Sequence, residues 1–291
     1  MFVELYAKTN IGRVRSGNED NFLVLDLSGQ RAWTGSDGEE PPDGLRRFEV
    51  GPKGVVLVVS DGMGGALAGD VASRMAVETV RDMLTDAEAD GDDDEPTPLI
   101  EDLKNATDYA NYEIHRKSQE DPRCSGMGAT LTAAAVTPEG VSLLQVGDSR
   151  GYVIRGRSIK LATKDQSLVQ QLVDVGQISE QEAETHMFRN VILQALGAQP
   201  ELQPVTGSVR LFRGDVLLLC SDGLSGKLRG EDMLRIVTAS NGDLARACEA
   251  LIDEANERGG EDNITVVLAR LEGEDLPKPD TDRITVELPG P

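Results

Sequence analysis

Short aliphatic and β-branched segments recur along the chain, and they constrain its fold more than any other feature. Each has the length of a β-strand, and most are bounded by Gly, Asp or Pro, which favour turns. These segments are residues 22–27, 55–60, 129–136, 141–146, 151–155, 216–220 and 264–271. Pro138, Glu139 and Gly140 form a turn signal between two of them, which predicts an antiparallel hairpin.

Three longer segments show apolar residues at helical spacing instead. They are residues 67–84, 98–117 and 243–257. In the first, Val71 and Met75 are one helical turn apart. Strands, then paired helices, then further strands and a late helix predict an α+β sandwich in which helices cover mainly antiparallel sheets. The pattern leaves the order of the layers open.

Three further segments are predicted to be poorly ordered, because they are polar or rich in Gly and Pro. They are residues 28–53, 86–98 and 273–291. The second is an acidic loop with seven Asp or Glu and no Lys or Arg. The third is a polar tail that contains four prolines.

The charge of the chain excludes some classes of partner. Among 291 residues, 51 Asp and Glu oppose 29 Lys and Arg, which gives a formal net charge of -22. Nucleic acids and anionic membrane surfaces repel such a chain, so we expect neither as a partner. The sequence shows no export signal, no apolar run of about 20 residues and no Cys-x-x-Cys pair. We therefore expect a cytoplasmic protein with reduced thiols.

Five aspartates stand at the ends of the apolar segments. They are Asp20, Asp61, Asp148, Asp222 and Asp262. A carboxylate at the end of a buried strand is costly to desolvate unless it meets a cation or hydrogen-bond donors. Any one of them is equally well explained as a turn residue, but five together indicate a metal site. Oxygen ligands alone favour Mg²⁺ or Mn²⁺ over zinc, and the chain has only two histidines.

Two further features indicate the chemistry of the site, one of them a cation and the other a phosphate. Residues 62–65, Gly-Met-Gly-Gly, match neither the Walker loop nor the dinucleotide fingerprint, and a close approach of the Gly62 carbonyl to a cation fits them better. Arg15 lies five residues before Asp20. Its guanidinium can bind a phosphate through paired donors.

Six short motifs follow one another along the chain. They are Arg15 with Asn-Glu-Asp at 18–20, Val-Ser-Asp-Gly-Met-Gly-Gly at 59–65, Gly-Met-Gly-Ala-Thr at 126–130, Gly-Asp-Ser-Arg at 147–150, Ser-Asp-Gly-Leu at 221–224 and Glu-Asp-Asn at 261–263. In this order they resemble the motifs of the metal-dependent Ser/Thr protein phosphatases of type 2C, the bacterial branch most closely. The resemblance extends from about Tyr6 to Leu271.

The resemblance implies an α-β-β-α sandwich, with two mainly antiparallel sheets flanked by helices and a small flap subdomain. On this basis the phosphatase domain covers residues 1–272, with the flap at about 165–196 and the acidic loop at 86–98. Residues 273–291 are then a disordered tail.

The resemblance also implies a centre of two Mn²⁺ or Mg²⁺ ions, with room for a third. Asp61 then bridges the two ions, and Asp20 binds one of them. The ligands implied for the other ion are Asp222, Asp262 and the Gly62 carbonyl. Asp148, together with Asp222, matches the position of the third ion.

The implied reaction is hydrolysis of phosphoserine and phosphothreonine in proteins by a metal-activated water. Arg15 matches the arginine that binds the substrate phosphate, and Glu19 is implied to accept a hydrogen bond from metal-bound water. The implied partners are phosphorylated proteins and a Ser/Thr kinase that the phosphatase opposes. We expect a monomer.

The chain departs from the family pattern at three positions. Met63 stands where eukaryotic members often have His, although bacterial relatives also carry Met there. Gln166 stands where many relatives have His, and Met187 replaces the Pro of a common His-Pro pair. The last two changes fall in the predicted flap, so we expect altered substrate preference rather than altered metal binding.

Other phosphatase chemistries lack the residues they require. A cysteine phosphatase needs Arg six positions after its Cys, but Cys124, Cys220 and Cys248 are followed there by Thr, Gly and Glu. Two alternatives stay open from the sequence: a non-catalytic regulator that binds phosphoproteins, and a narrow phosphatase of an anti-sigma-antagonist protein.

Overall fold

A computed structural model describes residues 1–38, 40–42, 44–65, 68–86 and 97–288. Most of the acidic loop predicted at 86–98 lies outside the described residues. No helix in the described part of the chain is long and apolar enough to cross a membrane. The helices are α1 (Ala68–Asp86), α2 (Leu99–Glu120), α3 (Leu168–Asp174), α4 (Glu180–Thr185), α5 (Asp222–Ser225), α6 (Gly230–Ala239) and α7 (Leu244–Glu257).

The described strands form two sheets in which every paired neighbour is antiparallel. The first sheet has the spatial order β10 (Ser158–Leu161), β9 (Arg150–Arg155), β12 (Val216–Cys220), β13 (Ile264–Glu272), β1 (Phe2–Asn10) and β4 (Arg47–Glu49). The second has the order β14 (Val286–Glu287), β11 (Val205–Val209), β8 (Gly140–Val146), β7 (Leu131–Thr137), β5 (Val55–Met63), β2 (Asp20–Asp26) and β3 (Arg31–Thr34), and β6 (Gly128–Ala129) also pairs with β5.

The two sheets stack face to face and helices cover both outer faces. Strand β13 shows why, because its side chains alternate between two cores: Val267 packs between the sheets, and Val266 packs against α7 and its neighbours. Helices α1 and α2 cover the second sheet in the same way. The layer order is therefore α-β-β-α, which confirms the fold class predicted from the sequence.

Both faces of each sheet are covered, which explains why apolar and polar residues alternate little along the strands. All five residues of β12 are buried, although antiparallel strands with one wet face would alternate. The predicted hairpin is present, with Thr137 of β7 opposite Gly140 of β8.

The structure differs from the sequence prediction in residues 28–53, which were expected to be poorly ordered. This segment contributes β3 and β4 to the two sheets. Trp33 is fully buried in the core between the sheets, and Leu45 and Phe48 lie in the same core. A few large apolar residues are enough to order the segment, and the average composition of the segment conceals them.

The C-terminal segment also differs from the disordered tail predicted at 273–291. Strand β14 pairs with β11 at the edge of the second sheet. Leu276 is buried in the core between the sheets, and Ile284 packs against that core. Residues up to 288 therefore lie against the domain, because spaced apolar residues and backbone pairing outweigh a polar composition.

A buried ion pair anchors this segment. Arg155 of β9 donates from Nε to Asp215 Oδ1 at 2.8 Å and from Nη2 to Asp215 Oδ2 at 2.7 Å, and both residues are buried. The third arm, Nη1, donates to the carbonyl oxygen of Arg283 at 2.7 Å. The guanidinium carbon also lies 4.1 Å from the centre of the Phe212 ring.

We expect Arg155→Ala to destabilise the protein strongly, because the charge of Asp215 would stay buried without its partner. Breaking a pair of this kind costs about 3–5 kcal/mol. Urea denaturation measures the change in the free energy of unfolding. Arg157→Ala, at an exposed position two residues away, is the matched control. Equal stability of the two variants would show that the pair does not anchor the segment.

Candidate active site

The five aspartates identified in the sequence lie at neighbouring strand ends. Asp20 begins β2 and lies directly opposite Asp61 of β5 in the second sheet. Asp222 begins α5 immediately after β12, and Asp262 precedes β13, the neighbour of β12 in the first sheet. Asp148 lies in the turn between β8 and β9. Both sheets therefore deliver carboxylates to the same end of the sandwich.

Their mutual electrostatics show that these carboxylates are close together. Burial raises the pKa of Asp61 well above its usual value, and the charges of the other four aspartates raise it further. Burial, followed by the charge of Asp222, raises the pKa of Asp148 to about 7. The pKa of Asp222 is also raised, first by burial and then by the charge of Asp262. Such repulsion favours a cation at this position.

Asp20 provides a direct test of whether a cation fits. Ser221 and Thr265 each donate a hydroxyl hydrogen bond of 2.7 Å to Asp20 Oδ2. The other oxygen, Oδ1, is buried and has no hydrogen-bond partner. A buried carboxylate oxygen without a partner is costly unless something positive meets it. An oxygen-only set of this kind fits a hard divalent cation.

The described side chains do not form a complete ligand set for such a cation in their present positions. Among the described residues, no three His, Cys, Asp or Glu side chains are arranged so that they could hold a metal ion as they stand. Arg15 already occupies one carboxylate oxygen, because its Nη2 donates to Asp262 Oδ2 at 2.8 Å. The carboxylates converge, and one of the Asp262 oxygens is directed at Arg15.

Arg15 and Glu19 lie beside the aspartates in the loop between β1 and β2. Arg15 Nη1 lies 3.7 Å from Glu19 Oε1, and the Arg15 side chain is about half exposed. Glu19 is buried, and burial raises the pKa of its carboxyl group while Arg15 opposes the rise. The half-exposed guanidinium can bind a phosphate, and the buried carboxyl group beside it can accept a proton.

Asn263 holds this loop in place. Its side-chain Nδ2 donates to the carbonyl oxygens of Ile11 at 2.9 Å and Gly17 at 3.0 Å. Its Oδ1 accepts a hydrogen bond of 2.8 Å from the backbone N–H of Glu19. The residue next to Asp262 in sequence therefore positions the segment that carries Arg15 and Glu19.

Gly is required at two positions of the site because neighbouring segments approach the backbone too closely there for a side chain. A Cβ atom at Gly62 would collide with the carbonyl oxygen of Gly69, and a Cβ atom at Gly69 would collide with the carboxylate of Glu19. Gly62 N also donates to the Glu19 carbonyl oxygen at 3.1 Å. The end of β5, the start of α1 and Glu19 can meet here only because both residues lack side chains. Cation binding by the Gly62 carbonyl stays a prediction.

Sequence reasoning missed Ser221, Thr265 and the role of Asn263. A polar residue inside an otherwise apolar strand was the available signal for Thr265, which is fully buried in β13. Ser221 is equally buried between β12 and Asp222. Both orient Asp20, and hydrogen bonds to its charged form oppose the effect of burial on its pKa, which is raised to about 7.

The segment predicted as a flap contains α3 and α4 and carries exposed apolar side chains. Met187 and Val175 are the most exposed of these, and Phe188 is also exposed. The segment begins beside Asp165, which accepts hydrogen bonds from Arg150 Nε at 3.0 Å and Arg150 Nη2 at 2.7 Å. Arg150 follows Asp148 by two residues, so the predicted flap starts next to the aspartate cluster.

Comparison with known proteins decides the family. A sequence model described as Protein phosphatase 2C matches residues 36–268. The chain belongs to this family. It is 36% identical over 261 residues to the serine/threonine phosphatase stp of Listeria monocytogenes, covering 90% of this chain and 93% of that protein. It is 39% identical over 220 residues to the protein phosphatase PhpP of Streptococcus pneumoniae, covering 76% and 87%.

A solved structure agrees in fold. The catalytic domain of the phosphatase PstP in complex with two manganese ions superimposes with a TM-score of 0.72 at 31% identity, covering 94% of this chain and 99% of that one. The family resemblance predicted from the six motifs is therefore confirmed. The chain is a protein serine/threonine phosphatase of the bacterial 2C type, so the non-catalytic alternative loses its support.

Proposed function

We propose that this phosphatase hydrolyses phosphoserine and phosphothreonine in proteins at a centre of two divalent cations, Mn²⁺ or Mg²⁺, and that it opposes a Ser/Thr kinase. The partnerless, buried Oδ1 of Asp20, opposite Asp61 and beside three further aspartates, is the observation that carries the proposal. A kinase is implied because such an enzyme has substrate only where a kinase has phosphorylated a protein.

Each aspartate has a role in this proposal. Asp61, which faces Asp20 across the strands and neighbours Asp222, would be a ligand of both cations. Asp20 would hold one of them. Asp222 and Asp262, with the Gly62 carbonyl, would hold the other. Asp148 and Asp222 would supply ligands for a weaker third cation. Bound cations of this kind lower the pKa of a water and neutralise phosphoryl oxygens.

The remaining residues of the site act on the substrate and its proton. Arg15 is half exposed and lies within reach of Glu19 and Asp262, so its guanidinium can bind a phosphoryl group brought to the cluster. Glu19 has a raised pKa, Asn263 holds its backbone N–H, and Gly69 leaves room for its carboxylate, so it can accept a proton or hydrogen bond from water at the reaction centre.

Metal removal tests the proposal. We expect turnover of phosphothreonine and phosphoserine peptides in Mn²⁺, none in EDTA, and recovery when Mn²⁺ is added back in excess. Phosphate release measures the rate, and calorimetric titration counts the bound Mn²⁺ ions. A phosphotyrosine peptide is the substrate control, with little or no turnover expected. Robust turnover in EDTA, or a single bound ion at saturation, would overturn the binuclear centre.

A further inference from the structure

The turn that carries Asp148 is bound to the strand that carries Asp61. Gly147 has a φ of +94° and packs closely against Thr130. The Thr130 hydroxyl accepts from the backbone N–H of Asp61 at 3.0 Å and hydrogen-bonds to the Ser149 hydroxyl at 2.7 Å. The position of Asp148 relative to Asp61 therefore depends on how firmly the turn of residues 147–149 is held.

A buried glutamine holds this turn from inside the sheet. Gln145 is 1% exposed, and its Nε2 donates to the carbonyl oxygens of Gly147 at 2.9 Å and Ser149 at 2.7 Å. Its Oε1 accepts from the Thr132 hydroxyl at 2.7 Å. The carbonyl groups on both sides of Asp148 are thus fixed.

A second glutamine holds the same turn from the predicted flap. The backbone N–H of Gln166 donates to the Gly147 carbonyl oxygen at 2.8 Å, and its side-chain Oε1 accepts from the Gly147 N–H at 2.9 Å. Its Nε2 donates to the carbonyl oxygen of Gln203 at 2.9 Å. Its own carbonyl oxygen accepts from the Leu193 N–H at 2.8 Å. One residue therefore joins the Asp148 turn, the start of the flap and the segment that returns from it.

We propose that Gln166 is a positioning residue for Asp148, which couples the position of the flap to the third-cation site. The inference rests on the proposed function, because the role of Asp148 as a ligand belongs to it. The adjacent Arg150–Asp165 pair makes a second link between the same two segments. A movement of the flap is then transmitted to the Gly147 backbone, and from there to Asp148.

The side chain of Gln166 has the chemistry that this role needs. A primary amide offers an acceptor to Gly147 and a donor to Gln203 at the same time, and carries no charge that would add to the repulsion around Asp148. Leucine has a similar size and neither function. A neutral imidazole has one acceptor and one donor, so histidine can replace the amide where its ring reaches both partners.

Amide hydrogen exchange tests the link directly. In the Mn²⁺-loaded protein we expect Gln166→Leu to accelerate exchange of the Gly147 N–H about tenfold, because its hydrogen bond is lost. Gln166→His should restore protection at mildly alkaline pH. Gln170→Leu is the matched control, since Gln170 lies on α3 and its side chain donates to Asp174 at 2.9 Å, away from Gly147. Should Gln166→Leu not fold, Gln166→Asn, one methylene shorter, makes the same test.

Calorimetric titration with Mn²⁺ tests the consequence for the cation site. We expect Gln166→Leu to weaken the weakest Mn²⁺ site about tenfold, as loss of a ligand-orienting partner does, and Asp148→Asn to abolish it. Unchanged Gly147 exchange in Gln166→Leu would overturn the positioning role, and faster exchange with unchanged Mn²⁺ affinity would overturn the coupling. If Asp148→Asn leaves Mn²⁺ binding intact, the ligand assignment in the proposed function fails instead.

Discussion

Asp222→Asn is expected to abolish phosphatase activity while leaving the fold intact. Asp222 neighbours Asp61, Asp148 and Asp262, so it contributes to two of the three cations in the proposed centre. Loss of several kcal/mol of transition-state stabilisation corresponds to a fall of about 10³-fold in kcat/KM. The rate of hydrolysis of a phosphothreonine peptide in saturating Mn²⁺ measures the effect.

Thermal stability in EDTA separates a lost ligand from a misfolded protein. Burial and the charge of Asp262 raise the pKa of Asp222, so a neutral amide relieves repulsion, and we expect the Tm in EDTA to stay equal or rise. Asp253→Asn, at an exposed position on α7, is the control and should change neither quantity. A substantial residual rate in Asp222→Asn would remove this residue from the centre. Arg15→Ala should reduce kcat/KM by a smaller factor.

The stability of the protein in EDTA is expected to fall as the pH rises from about 4 to above 7. Burial raises the pKa values of Asp20 and Asp148 from 3.8 to about 7. Between these limits the folded state binds more protons than the unfolded state, so the free energy of unfolding is highest at the acidic end and decreases as the two carboxyls ionise. A shift of this size corresponds to about 4 kcal/mol for one independent group. Denaturant titrations at several pH values measure it.

Mn²⁺ should reverse this trend, because cations bind the ionised carboxylates and compete with protons. The stabilisation produced by a fixed Mn²⁺ concentration should therefore increase through about pH 7, where Asp20 and Asp148 ionise. Asp148→Asn removes one of the titrating groups and should flatten the pH dependence in EDTA. A free energy of unfolding in EDTA that rises across this range would contradict the clustering of buried carboxylates.

The sequence could supply candidate ligands because aspartates stand next to the predicted strand ends, and their roles in the site stay predictions. Asp61 and Asp222 each follow an apolar segment, and the two histidines of the chain exclude an imidazole-rich centre. The orienting contacts were not predictable, because Thr265 lies 245 residues from Asp20 in sequence and acts only after β13 and β2 are brought together. The pairing of Arg15 with Asp262, 247 residues away, depends on the fold in the same way.

Average composition gives a wrong prediction of disorder where a few large apolar residues determine the structure of a segment. Trp33 orders part of a segment rich in Gly, Pro and charge, because its large ring is buried against Phe22 with the ring centres 4.9 Å apart. The C-terminal segment follows the same rule, since Leu276 is buried and Arg155 reaches the carbonyl oxygen of Arg283. The average composition of a segment contains no information about its contacts with strands that are distant in sequence.

The linear order of residues determined the two classes of secondary structure, the donor chemistry of the site and the family, because strand length, helical spacing and short motifs are local properties. The tertiary structure decided which oxygen of Asp20 lacks a partner, which charges raise the pKa of Asp61, and that Gln166 accepts a hydrogen bond from Gly147 beside Asp148. These depend on distances between segments far apart in the chain, and only packing of the two sheets determines such distances.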